Sequence, residues 1–266
     1  MIGVDVGGTF TDVVAVRDGK VHVTKVPSSR IDPAGSVVEG ARRLGLEGSA
    51  VFNHASTMGL NAVLERRLPK IGLLTTDGFR DVLDRGSVHR PLDAQTDPSW
   101  RRSFGDAARP LIPRYLRRGI HQRTTADGGT LIELDEAQAR HELEILQRCG
   151  VEGVAICLIN AYVNPAHEER LRELTLEVLG PDVAVSISSA TSALAKEYER
   201  ASTTVIDVVM KLLFTDYSER IDAGLTELGF DGQLNFADCA ANLLPWQEAL
   251  RRPFRLAVVT VLLHGA

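Results

Sequence analysis

Short runs rich in β-branched residues alternate along the chain with stretches whose apolar positions recur every three or four residues, the pattern of strands and helices packed in layers. Val4 and Val6, then Val13 to Val16, then Val21 to Val26 predict three strands, the last two joined by Asp18-Gly19, a pair favoured in tight hairpins. Asp32-Pro33 caps and starts a helix in which Val37, Val38, Ala41 and Leu44 recur at helical spacing, and Gly45 ends it. Ala50 to Asn53 reads as a strand, Thr57 to Arg66 as a helix and Ile71 to Leu74 as an apolar strand. A β-meander thus leads into an α/β alternation.

From about Gly86 to Arg117 the periodicity fades among Pro91, Pro98, Pro110, Pro113 and many Arg and Asp residues, which predicts a long surface loop or lid. Regularity returns with a helix capped by Asp135 and running through Gln147, a buried strand at Val151 to Leu158, a helix from Asn164-Pro165 through Leu179 and a strand at Val183 to Ile187. These make a second α/β unit. Val205, Val209, Leu212, Leu213, Ile221, Leu225 and Leu228 then predict one long helix over Arg200 to Leu228. Arg255 to Leu263 reads as an apolar strand whose edge invites pairing with another chain.

With 266 residues, 44% of them hydrophobic, the chain can bury the core of one large or two modest domains. Its net charge of −5, spread over interspersed acids and bases, argues against a nucleic-acid partner. No apolar run reaches the roughly 20 residues of a membrane span, and the start lacks the order of a secretory signal, so neither membrane nor export is expected and the cytoplasm is. Cys149, Cys157 and Cys239 lie far apart without a CxxC pair and read as reduced structural thiols.

The stretch that carries chemistry is Asp5-Val6-Gly7-Gly8-Thr9-Phe10-Thr11-Asp12, between the first two strands. Adjacent glycines let backbone N–H groups approach an anion, since no Cβ obstructs and positive φ is cheap. Thr9 and Thr11 add hydroxyl donors for phosphate oxygens, Asp5 suits a hydrated Mg²⁺, and Asp12 supports the turn. No Gly-Lys-Ser/Thr ending follows, and the spacing does not fit GxGxxG before a helix. The turn is instead similar to the first phosphate loop of the actin, hexokinase and Hsp70 group of ATPases.

A longer pattern joins it. Asn61 to Arg66, Gly72 to Leu83, Gly150 to Leu158, Asn164 to Glu168 and Glu197 to Arg200 with Ser202-Thr203-Thr204 resemble, together with Asp5 to Asp12 and Lys25 to Ser28, the N-terminal part of the hydantoinase A and 5-oxoprolinase family. The resemblance covers most of residues 2 to about 205. It implies an α/β fold with an actin-like (ribonuclease H-like) ATPase domain at 1–195, holding the loop of about 86–117, and the start of a hydantoinase A-like domain at 196–266. The implied activity is ATP- and Mg-dependent opening of a small cyclic amide by phosphoryl activation. Alternatives are a ketone carboxylase subunit of the same family and a non-catalytic remnant or assembly subunit. Three departures stand out. His54-Ala55-Ser56-Thr57 replaces the family's His-Gly-Thr-Thr, Asn235 to Ala241 stands where a strand into a Ser/Asn-Gly-Gly turn is expected, and no second Gly-rich phosphate loop follows. The expectation is therefore a truncated portion needing a second subunit or a C-terminal remainder.

Among single residues, His54 either faces a substrate cleft as a catalytic proton carrier or bonds the following turn. His167 and Glu168 read as the polar first turn of a helix. Ser202, Thr203 and Thr204 either face a cleft or bond back to the preceding turn, and the arginines of 101–123 either meet a substrate carboxylate or solvate a loop.

Overall fold

The computed structural model describes residues 1–85, 110–240 and 242–256. In chain order it begins with β1 (Ile2–Val6), β2 (Phe10–Arg17), β3 (Lys20–Pro27), α1 (Pro33–Leu44), β4 (Val51–Ser56), α2 (Met58–Leu64), β5 (Ile71–Thr76) and α3 (Val82–Arg85). It continues with β6 (Arg117–Ile120), β7 (Arg123–Thr124), β8 (Thr130–Ile132), α4 (Glu136–Arg148), β9 (Gly153–Cys157), α5 (Ala166–Leu179) and β10 (Ala184–Ile187). Then come α6 (Ser188–Thr191), α7 (Glu197–Glu227), β11 (Gln233–Ala237), β12 (Leu243–Pro245) and α8 (Trp246–Ala249). Compactness divides these into two units: Met1–Arg67 with the described residues from Met210 onward, and Leu68–Val209.

The first unit carries a six-stranded sheet in the order β12-β11-β4-β1-β2-β3. Its first three strands are antiparallel neighbours, whereas β1, β4 and β11 run parallel. Asp18 and Gly19 turn the β2–β3 hairpin at φ 49° and 72°, the left-handed pair that a two-residue connection with the strands' own twist requires. Asp32 caps α1 by accepting the Gly35 N–H at 3.0 Å. Since side chains alternate along a strand, Ile2, Val4 and Val6 share one face with Val13, Ala15, Val26, Phe52 and Phe236. Val37 and Ala41 of α1 and Phe214, Tyr217 and Ile221 of α7 bury with them. Each valine so buried contributes roughly 1.5–3 kcal/mol. The opposite face carries Asp5, Asp12 and Asn53 beside the exposed Val16, Val21 and Val23.

The second unit has a four-stranded sheet, order β10-β9-β5-β6, with all pairs parallel. β5 and β9 are buried at every position, as strands covered on both faces must be. In the ladder Ile71 pairs with Gly153 and Gly72 with Val154, so the two glycines point to opposite faces. Leu146 of α4 packs against Gly72 and Val208 of α7 against Gly153, one helix on each side. No helix of the described residues is long and apolar enough to cross a membrane.

The structure departs from the sequence reading in the long loop and adds to it elsewhere. Residues 110–117 are not surface loop: Ile112 and Leu116 are buried, and Arg117 opens β6 with 1% of its side chain exposed. Asp84 grips that guanidinium at 2.6 and 2.9 Å and the Ile112 carbonyl accepts from Nε at 2.8 Å, which lets an arginine occupy a core position. Residues 86–109, and the expected strand 255–263 from 257 onward, lie outside the described residues; Arg255 and Leu256 belong to a 3₁₀ turn, Pro253–Leu256. Glu168 lies in the first turn of α5, as the sequence predicts, but not as a solvated charge. It is fully buried, its carboxyl accepting the N–H groups of Leu158 at 2.9 Å and Ser189 at 2.8 Å and the Ser188 hydroxyl at 2.5 Å. Burial pushes its pKa up, and the three donors oppose that shift.

Thr203 and Thr204 take the local option, each hydroxyl donating to the carbonyl four residues back at 2.7 Å. The fully buried Arg200 donates to the Leu158 carbonyl at 2.6 Å and the Leu194 carbonyl at 2.9 Å. Glu168→Ala should strand two buried N–H groups and cost about 3 kcal/mol or more, a loss of roughly 6 °C or more in Tm. Thermal melting beside Glu136→Ala, which breaks only an exposed pair with Arg170, checks this; equal small shifts would refute the assignment.

Candidate functional site

The turn between β1 and β2 is held from beneath by β3. Gly7 N–H donates to the Phe10 carbonyl at 3.1 Å, closing the turn, and Ser28 N–H donates to the Thr9 carbonyl at 2.9 Å. The Ser28 hydroxyl donates to the Gly7 carbonyl at 2.8 Å, so Thr11, 3.0 Å away, is the donor to Ser28. Thr11 is fully buried in this relay. It buttresses the turn rather than presenting a hydroxyl to a phosphate, whereas Thr9 is exposed.

Neither Gly7 nor Gly8 adopts the positive φ expected of them. They differ instead in surroundings: a Cβ on Gly7 would lie 3.1 Å from the Phe10 carbonyl oxygen, whereas one on Gly8 would meet nothing within 4 Å. The protein's own packing therefore gives Gly8 no reason to be glycine. The N–H groups of Gly8 and Thr9 have no acceptor among the described residues and remain as free donors.

Asp5 and Asp12 are direct cross-strand partners on the open face of the sheet, and Lys25 follows Asp12 in the same row. The Lys25 ammonium lies 3.2 Å from the Asp12 carboxylate, leaving Asp5 exposed and without an ion pair among the described residues. No group of three or more His, Cys, Asp or Glu side chains among the described residues is arranged to hold a metal. A cation here would rest on one or two carboxylates and on oxygens brought by a ligand, the coordination magnesium prefers. Beside the turn lies a cleft of about 200 Å³, lined by Gly7, Gly8, Ser28, Arg30, Asn61 and Arg67 among others.

His54 does not reach this cleft. It pairs with Val4 on the helix-covered face, is fully buried, and its Nε2 lies 2.7 Å from the Tyr217 hydroxyl. The ring packs 4.6 Å from Phe236 and 5.4 Å from Tyr217, and burial pushes its pKa down to about 3. An imidazole so buried stays neutral at pH 7 and does not line the cleft. The pleat explains the difference: in register with β1, Ala55 rather than His54 takes the face of Asp5.

The sequence pattern of the hydantoinase/oxoprolinase N-terminal region matches residues 1–179, well over half of the chain. The chain belongs to the hydantoinase/oxoprolinase family. Among relatives in this family, the caprolactamase subunit alpha of Pseudomonas jessenii is 32% identical over 255 residues, which cover 92% of this chain and 36% of that subunit. The crystal structure of that ATP-dependent caprolactamase superposes with a TM-score of 0.76 at 31% identity, over 92% of this chain and 36% of its own. A nucleotide-free structure of acetone carboxylase, an ATP-dependent enzyme, superposes with a TM-score of 0.78 at 25% identity, over 96% of this chain and 38% of its own. The 5-oxoprolinase of Saccharomyces cerevisiae is 26% identical over 265 residues, 85% of this chain and 20% of that protein. The chain thus spans between a fifth and two fifths of the length of these hydantoinase/oxoprolinase relatives.

The sequence reading missed the buttress Ser28 and the two cleft arginines, because loop residues after a strand carry no periodic signal.

With its pKa below the unfolded value, His54 binds a proton in the unfolded chain but not in the folded one between about pH 6.5 and 3. Stability should therefore fall as pH drops through that window, by up to about 1.4 kcal/mol per unit from this group. His54→Gln, which removes the titrating group, should flatten the acid limb of a denaturation series relative to wild type. Identical limbs would show that His54 is protonated in the folded protein.

Proposed function

We propose that the first unit is an actin-like, ribonuclease H-like nucleotide-binding domain and that the chain is the N-terminal portion of an ATP-dependent cyclic-amide hydrolase. The strand order 3-2-1-4 with an antiparallel first hairpin and a parallel fourth strand supports the domain assignment. One observation carries the ligand: the open space at Gly8, flanked by two unpaired N–H groups, gives a polyphosphate the close backbone approach it needs.

On this reading Gly7, Gly8 and Thr9 cradle the phosphates, Ser28 and Thr11 stiffen the cradle, and Asp5, with Asp12 behind it, faces hydrated magnesium. MgATP supplies the phosphoryl group that activates an amide oxygen, and the chain's own work is positioning and charge neutralisation. His54 belongs to the core and has no part in the chemistry. Residues 196–266 are the start of the hydantoinase A-like part, the site is completed by a second subunit or a C-terminal remainder, and the setting is cytoplasmic. The substrate class is a small cyclic amide. A ketone carboxylase subunit is the second reading, favoured by the acetone carboxylase superposition.

Calorimetry with MgATP tests the site. Asp5→Ala should weaken magnesium-dependent binding at least tenfold, roughly 1.4 kcal/mol or more. Gly8→Val should do the same while leaving Tm within about 2 °C, since a structural loss of 0.5 kcal/mol or less moves Tm by no more. Absence of MgATP binding by the chain, alone and with its completing portion, would sink the proposal. ATP turnover with hydantoin or 5-oxoproline favours the hydrolase, and turnover requiring bicarbonate and a ketone favours the carboxylase.

A further inference from the structure

We infer that the cleft beside the Gly7-Gly8 turn is an oxyanion subsite in which Arg30 and Arg67 hold a tetrahedral, phosphate-like group; this rests on the phosphate-turn reading above. The cleft has its own walls, distinct from the carboxylate row. Neither Asp5 nor Asp12 lines it, and Val6, from the helix-covered face of β1, does. It encloses about 200 Å³, several water volumes.

Its charges are two guanidinium groups against one carboxylate, Glu65. Glu65 lies 3.0 Å from Arg67, so that pair is internally balanced and Arg30 supplies the excess positive charge. Arg30 has no carboxylate within ion-pair distance among the described residues. The nearest acid in the chain, Asp32, is committed to capping α1 and to Arg220 at 2.5 Å. A concave site with an uncompensated guanidinium, the unpaired Gly8 amide at one wall and no free carboxylate attracts an oxyanion. The planar fork of arginine matches two oxygens of a phosphate at once, which a solvated point charge would not.

The shared chemistry fits two sources, the terminal phosphoryl group of a nucleotide and free inorganic phosphate released from it. Calorimetry of the full chain with MgATP, MgADP and inorganic phosphate separates them. Arg30→Gln should weaken binding about tenfold or more, the loss of one charge-assisted contact. Weakening for MgATP but not for MgADP or inorganic phosphate assigns the terminal phosphoryl group, and weakening for inorganic phosphate assigns the free anion. Arg67→Gln should also weaken binding, because it removes a guanidinium and leaves the Glu65 carboxylate unneutralised beside the anion, and Arg30→Lys should recover part of the affinity. Arg30 is exposed, so its variants should keep the wild-type Tm. Unchanged affinity for all three ligands in Arg30→Gln, with Gly8→Val still weakening MgATP, overturns the subsite and leaves the phosphate turn standing. Failure of the wild-type chain to bind any of them overturns both.

Discussion

Successive side chains of β1 leave the strand on opposite sides, and a slip of one residue would put Asp5 in the core and Val4 and Val6 in water. The buried set of Ile2, Val4, Val6, Val13 and Val26 forbids that slip, so hydrophobic burial fixes where the carboxylates stand. It also places Asp5 directly opposite Asp12, an arrangement that costs up to roughly 1 kcal/mol between like charges. Lys25 offsets the charge of Asp12 and leaves that of Asp5. A sheet built only for stability gains nothing from this row, whereas a cation on the open face converts the repulsion into coordination. The turn above follows the same division of labour. Ser28 and Thr11 spend their hydroxyls inward to hold the Gly7 carbonyl, and the amides of Gly8 and Thr9 remain as donors.

The second unit solves a different problem, which is how to bury charge in a parallel sheet. Arg117, Glu168 and Arg200 are each at most 1% exposed, and each bonds backbone groups, Arg117 adding the Asp84 carboxylate and Glu168 the Ser188 hydroxyl. The carboxyl of Glu168 and the guanidinium of Arg200 meet at Leu158, one taking its N–H and the other giving to its carbonyl. Two long side chains thus pin both polar groups of a residue just past the end of β9, where the ladder no longer satisfies them. Cys157 next to it is buried, and its thiol is pushed up to about 11, so it stays an inert thiol.

How much of this was legible depended on whether a residue's environment followed from period alone. The strands and helices of the first 76 residues appear where apolar spacing put them, and the caps at Asp32 and Asp135 are real. The region around Arg117 was read as loop because its partner Asp84 sits 33 residues earlier, and a long-range ion pair leaves no periodic trace. Glu168 stands in the first turn of α5 where the sequence put it, but its burial was not legible for the same reason, since its donors come from beyond β9 and β10. His54 shows the limit at one-residue resolution. The strand was expected to stop at Asn53, but β4 runs on to Ser56 and holds His54 within it, and the side it faces is decided by register with β1, which a single strand does not reveal. In the candidate site the turn was legible from its composition, whereas the inward commitment of Thr11 depended on Ser28, 17 residues on.

A phosphate cradle made of two free amides, an exposed carboxylate and an exposed arginine lies in water, where a pair of unit charges 4 Å apart is worth only about 1 kcal/mol. The same groups enclosed by low-dielectric walls interact several times more strongly, and transfer of a phosphoryl group needs that enclosure to keep water from competing for it. The donors in the first unit are therefore suited to recognising a polyphosphate but not, by themselves, to accelerating its transfer. The relatives in this family run to more than twice the length of this chain, and a covering element drawn from such a remainder would strengthen each contact without changing any residue of the turn. Binding and turnover should accordingly depend to different degrees on the cover. On the proposed reading affinity rests largely on Gly8, Asp5 and Arg30, and rate on a cover closing over them.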